Sequence, residues 1–103
     1  MLHISLGLEY LHSKNIVHGD IKPDNVLISY RVTPGSTVPF IAKLSDFGTS
    51  AVLDGNASHL SFHGAGTPAY IAPEVANHAR LSPAADIFSL GVLFWQLLHN
   101  QTP

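Results

Sequence analysis

Apolar residues open the chain at helical spacing. Ile4, Leu8 and Leu11 share one face at 3.6 residues per turn, which predicts a helix over 2–14 with Asn15 as its cap. Pro23 closes any helical continuation. Val26-Leu27-Ile28 then reads as a strand, Pro34-Gly35-Ser36 as a turn, and Phe40 to Leu44 as the returning strand. The predicted pairing is Val26–Ser29 against Ile41–Leu44, a hairpin with a long loop around Arg31–Pro39. Residues 49–66 are rich in Ser, Gly, Ala and His without periodicity and read as a mobile loop. Ser82 and Pro83 supply an N-cap and a first helical residue, so a second helix is predicted from Pro83 to His99. Its stripe is Ile87, Leu90, Phe94 and Leu98. Val92, Leu93, Trp95 and Leu97 fill much of the remaining surface, a pattern that predicts burial all round. The apolar run from Ile87 to Leu98, broken by Ser89, Gly91 and Gln96, is too short to span a bilayer.

With 103 residues the chain has room for one small core. Apolar residues make up 46% and charged ones 12%, a low polar share that suggests an interior cut from a larger domain. The net charge of −2 offers no electrostatic case for nucleic acid or an anionic membrane. No cysteine is present, which excludes a disulfide framework and a Cys-based zinc site and fits a reducing, cytoplasmic setting. No basic leader precedes the first apolar residues.

The chemistry is concentrated in three segments. His18-Gly19-Asp20-Ile21-Lys22-Pro23-Asp24-Asn25 sets a carboxylate, an ammonium and a carboxamide at fixed offsets. Asp46-Phe47-Gly48 follows, then Gly66-Thr67-Pro68-Ala69-Tyr70-Ile71-Ala72-Pro73-Glu74. Taken singly, each has a bland reading: an Asp in a loop is usually a turn or cap residue, and a three-residue motif is common by chance. Three segments in this order and spacing carry the weight.

Together they resemble the catalytic loop, metal-binding loop and substrate-loop anchor of a eukaryotic-type serine/threonine protein kinase. The resemblance implies an α+β fold, part of the large C-terminal lobe, mainly helical with one small antiparallel hairpin. Residues 1–103 would be a partial catalytic domain whose parent adds a small lobe. The implied reaction moves the γ-phosphate of Mg·ATP to a Ser or Thr hydroxyl of a protein substrate. Asp20 would orient that hydroxyl, Lys22 would sit near the transferred group, and Asn25 and Asp46 would hold Mg²⁺. Leu27 matches the residue beneath the adenine, and Thr67 that of the peptide-binding loop. His18 and Phe47 match a stacked pair, and Gly48 gives the metal loop its flexible backbone. Glu74 matches a residue that pairs with a later arginine. Asp86 matches an aspartate that braces the catalytic loop, and an acidic residue in a first helical turn is also favourable by itself.

Several positions depart from that pattern. No Gly-rich loop or strand lysine precedes the catalytic loop, so the 103 residues alone are expected to be inactive. Gly19 stands where the family has an arginine that pairs with activation-loop phosphate. Thr49, Ser50, Ser58, Ser61 and Thr67 are the available hydroxyls, and Arg80 is the nearby cation but on a different element. Phosphorylation there is therefore expected to change little. His-Gly-Asp also occurs in small-molecule phosphotransferases of the aminoglycoside or choline type, which is the alternative reading. A non-catalytic kinase-like binding module is a third. His59 and His63 read as solvated loop residues, and His3, His12, His78 and His99 as surface or helix-end residues.

Overall fold

The computed structural model describes residues 1–30, 34–35, 40–47, 50–53, 60–61 and 67–103. Helix α1 spans Leu2–Ser13, and Asn15 just beyond it takes the left-handed conformation at φ 59°. Strand β1 (Ile16–Val17) leads to the loop 18–22 and a 3₁₀ turn at Pro23–Asn25. Strands β2 (Val26–Tyr30) and β3 (Phe40–Leu44) form the expected hairpin, with Val26 opposite Leu44 and Ser29 opposite Ile41. A second 3₁₀ turn at Pro68–Tyr70 precedes α2 (Pro73–His78). Helix α3 runs Pro83–His99, the predicted bounds, and Asn100 ends it in the left-handed region. Ser82 sits at the N-cap without a side-chain capping bond; its carbonyl accepts the Ala85 N–H.

The hairpin is not the only pairing. Strand β4 (Ala51–Val52) pairs antiparallel with β1, and β5 (Leu60–Ser61) pairs with β6 (Arg80–Leu81). Both β4 and β5 fall within the 49–66 segment read from sequence as loop. Two-residue strands carry no periodicity, so their partners, not their composition, define them. The rest of that segment, apart from Ser50 and Leu53, lies outside the described residues.

Two apolar clusters hold the elements together. Ile4 and Leu8 of α1 meet Ile21, Leu90 and Leu93, with Val26, Ala42, Leu44 and Phe94 packed around them. Val17, Leu53, Ala72, Leu81 and Ala85 form the second cluster. Residues 17–21 thus place Val17 in one cluster and Ile21 in the other. The intervening His18 is buried and held from both sides.

Burial of α3 differs from the expectation. Leu90 and Leu93 are buried, but Ile87, Phe88, Trp95, Leu97 and Leu98 are exposed, Leu98 to 70%. Hydrophobicity all round a helix states what it can bury, whereas coverage depends on the elements laid against it. Among the described residues α1 and the segment 67–72 cover only part of its circumference. No helix among the described residues is long and apolar enough to cross a membrane.

Candidate active site

Asp86 organises the loop that carries Asp20. Its side chain is 1% exposed. Oδ2 accepts the His18 N–H at 2.8 Å and Oδ1 accepts the Gly19 N–H at 2.9 Å. Charge-assisted bonds of this kind are about twice as strong as neutral ones, and they fix two successive peptides of the loop. Gly19 has φ 86°, a left-handed value that glycine adopts without a Cβ clash. The residue that departs from the family pattern is thus suited to the backbone shape that meets Asp86.

Oδ2 of Asp86 also accepts a bond from His12 Nε2 at 2.8 Å. His12 is therefore not the plain helix-end residue its position suggested. It projects from the last turn of α1 onto the buried carboxylate and joins α1, α3 and the loop at one point. His3 is likewise engaged, its Nδ1 accepting the Ala42 N–H at 3.2 Å. His78 is an exposed helix-end residue as expected, and His99 donates to the Trp95 carbonyl and stacks on that ring.

His18 links the loop to the segment holding Asp46. Its Nδ1 accepts the Asp20 N–H at 3.1 Å, and its Nε2 donates to the Ser45 carbonyl at 2.8 Å. These roles assign the tautomer with the proton on Nε2. The imidazole lies 5.4 Å from the Phe47 ring, centroid to centroid, at 58°. Ser45 ties back as well, its N–H and Oγ–H both donating to the Asn25 carbonyl. Asp46 sits between these two anchored neighbours in a left-handed conformation, φ 59°. Aspartate tolerates this region better than most residues. Gly48 lies outside the described residues.

Asp20, Lys22, Asn25 and Thr67 converge. Asn25 Nδ2 donates to the Asp20 carbonyl at 2.6 Å and to its Oδ2 at 3.2 Å. Lys22 Nζ lies 3.7 Å from Asp20 Oδ2 and donates to Thr67 Oγ1 at 2.8 Å. The last bond joins positions 45 apart in sequence. With its amide nitrogen committed to Asp20, Asn25 presents its amide oxygen as the group for a hard cation. Asp46 adds a carboxylate of the same chemistry. No cluster of three His, Cys, Asp or Glu occurs among the described residues.

Sequence reasoning also missed Ser89 and Gln96, noted only as polar breaks in an apolar run. The Ser89 hydroxyl donates to the Tyr70 carbonyl, and the Tyr70 hydroxyl donates to Gln96 Oε1. The two sit two turns apart on α3 and anchor the segment carrying Thr67. Polar residues seven apart on an otherwise apolar helix were the available signal. Leu27 is 57% exposed on the hairpin, opposite Lys43. Glu74 is half-buried on α2 and makes no ion pair among the described residues.

Comparison with known proteins assigns the sequence to a family. Residues 1–103 match the protein kinase domain. The chain is 42% identical over 100 residues to mitogen-activated protein kinase kinase kinase 13-B of Xenopus laevis, covering 97% of this chain and 9% of the relative. It is 41% identical over 100 residues to mitogen-activated protein kinase kinase kinase 12 of Rattus norvegicus, covering 97% and 10%. Calcium/calmodulin-dependent protein kinase kinase cmkC of Emericella nidulans is 42% identical over 101 residues, covering 95% and 18%. The chain spans about a tenth of the length of the first two relatives. The ordered motifs, the Asp86-braced loop and these similarities agree: the chain belongs to the protein kinase family.

Proposed function

We propose that residues 1–103 are part of the C-terminal catalytic lobe of a serine/threonine protein kinase. The parent transfers the γ-phosphate of Mg·ATP to Ser or Thr hydroxyls of proteins. The observation that carries this reading is the convergence of Asp20, Lys22, Asn25 and Thr67. Asp20 accepts a hydrogen bond from the substrate hydroxyl and aims its oxygen for attack. Lys22 holds its ammonium between Asp20 and the peptide-binding segment, close to where charge develops on the transferred group. Asn25 and Asp46 would hold Mg²⁺, which when bound neutralises phosphate charge. Leu27 would form part of the surface beneath the adenine. Thr67 belongs to the peptide-binding loop and ties it to Lys22.

The small-molecule phosphotransferase reading rests on Gly19. The Lys22–Thr67 bond opposes it, because that bond ties the catalytic loop to a peptide-docking segment. The retained Asp20, Asn25 and Asp46 oppose a purely non-catalytic module. No Gly-rich loop or strand lysine precedes His18 in these residues, so on this reading the grip on the nucleotide's phosphates comes from the small lobe of the parent. Localisation in the cytoplasm goes with the same reading.

The test joins the chain to a small lobe and measures radiolabel transfer from ATP to Ser/Thr peptides. Asp20→Asn should remove transfer while sparing most nucleotide binding. Transfer surviving near the wild-type rate would take the catalytic role from Asp20. Robust transfer by the isolated 103 residues would show that the site is more complete than proposed.

A further inference from the structure

Two serines flank Asp46, and both donate their hydroxyls to backbone of the catalytic loop. Ser45, immediately before Asp46, donates from Oγ to the Asn25 carbonyl at 3.1 Å, where its own N–H already donates at 2.8 Å. Ser50, on the other side, donates from Oγ to the His18 carbonyl at 3.3 Å, across 32 positions of chain. The Ser50 N–H donates to the Phe47 carbonyl at 3.0 Å and draws the two residues together. Ala51, next along, pairs with Val17, so β4 begins beside this bond. In the sequence Ser50 is one of several hydroxyls after Asp46-Phe47-Gly48. In the structure its hydroxyl is committed to His18.

We propose that Ser50 is a positioning residue for Asp46, its hydroxyl latching the downstream end of the segment 45–50 onto the His18 carbonyl. The two ends of that segment are held differently. Upstream, the Ser45 hydroxyl duplicates a backbone bond to the same acceptor, and the Ser45 carbonyl accepts His18 Nε2 as well. Downstream, among the described residues, the loop is met by the Ser50 hydroxyl and by the Phe47 ring, 5.4 Å from the His18 imidazole. A ring contact tolerates a range of separations and tilts, whereas a hydrogen bond weakens steeply away from its preferred distance and angle. Between the two ends Asp46 holds a left-handed backbone at φ 59°. A conformation of this kind persists where its surroundings over-determine it. Loss of the Ser50 bond frees the backbone after Asp46, and the carboxylate loses its fixed place relative to Asn25. Magnesium demands near-ideal geometry from its oxygen ligands, so a pair of ligands on separate segments must be held at a set separation. The consequence for metal binding rests on the kinase reading above; the latch itself does not.

The first experiment measures amide hydrogen exchange in the complete domain. Ser50→Ala should lower the protection factor of the residue-50 amide about fivefold, the equivalent of one neutral hydrogen bond. Ser50→Thr, which keeps the hydroxyl, should restore it, and equal protection in all three chains overturns the latch. The second experiment follows Mn²⁺ binding in the presence of ADP by electron paramagnetic resonance, Mn²⁺ sharing the octahedral oxygen preference of Mg²⁺. Ser50→Ala should weaken Mn²⁺ binding about tenfold and raise the magnesium needed for half-maximal peptide transfer to match, with Ser50→Thr near wild type. Metal affinity unchanged in Ser50→Ala overturns the positioning role, even where the rate falls. A wild-type domain that neither binds Mn²⁺ with ADP nor transfers phosphate refutes the kinase reading and the metal consequence with it, and hydrogen exchange still decides the latch.

Discussion

The Asp86 carboxylate accepts the backbone N–H of His18 across 68 positions of chain, at 2.8 Å and out of contact with water. The same oxygen accepts His12, and its partner oxygen accepts Gly19. One side chain therefore sets the shape of the loop and ties α1 to α3. Asp86→Asn keeps the volume but turns one acceptor into a donor facing an N–H. It should destabilise the fold by roughly 2–4 kcal/mol. Denaturant unfolding of wild type and variant measures this, and a loss below about 0.5 kcal/mol would remove Asp86 from its bracing role.

His12 contributes to the same carboxylate from the side of α1. His12→Phe keeps the ring and loses the N–H, leaving Asp86 with its two backbone donors. A loss of about 1–2 kcal/mol is expected, smaller than for Asp86→Asn. The two losses should not add, because they act on one network. Additive unfolding energies would show that His12 stabilises α1 independently of Asp86.

Gly19 occupies φ 86° while donating to Asp86. Gly19→Ala should cost about 1 kcal/mol or more, and Gly19→Asn less, because asparagine enters the left-handed region more readily. Thermal unfolding of the three chains tests the order. Equal midpoints for Ala and Gly would mean that the loop relaxes to another conformation at no cost.

Thr67 accepts from Lys22 and so ties the segment 67–72 to the loop that carries Asp20. In the complete domain, Thr67→Val should lower peptide transfer roughly tenfold or more, since it leaves Lys22 without its hydroxyl acceptor. Thr67→Ser, which restores the oxygen, should recover most of the rate. Failure of Ser to rescue would assign the effect to packing of the Thr methyl.

Asp46 lies between Ser45 and Phe47, both tied to the catalytic loop through His18. In the complete domain Asp46→Ala should cut transfer at least about a hundredfold and raise the magnesium requirement. Activity and magnesium dependence both left unchanged would rule out the metal role.

The residues legible in the sequence were those whose structure follows from neighbours. Pro83 after Ser82 started α3, and the run Val26-Leu27-Ile28, the Pro34-Gly35 turn and the run Phe40 to Leu44 announced the hairpin that pairs Val26 with Leu44. Asp20, Asn25 and Asp46 stood out by spacing along one short stretch. Such signals act over a few residues, where propensity and turn chemistry are strong. What only the tertiary structure decided spans greater distances. His12 meets Asp86 across 74 positions, and Tyr70 meets Gln96 across 26, because packing of α1 and α3 sets those separations. Positions 80 and 61 pair in the β5–β6 ladder because two-residue strands gain their identity from a partner, which no local pattern encodes. The apolar surface of α3 told how much the helix could bury. Which of its sides are covered depended on where α1 and the Tyr70 segment came to rest, leaving Ile87, Phe88 and Leu98 exposed.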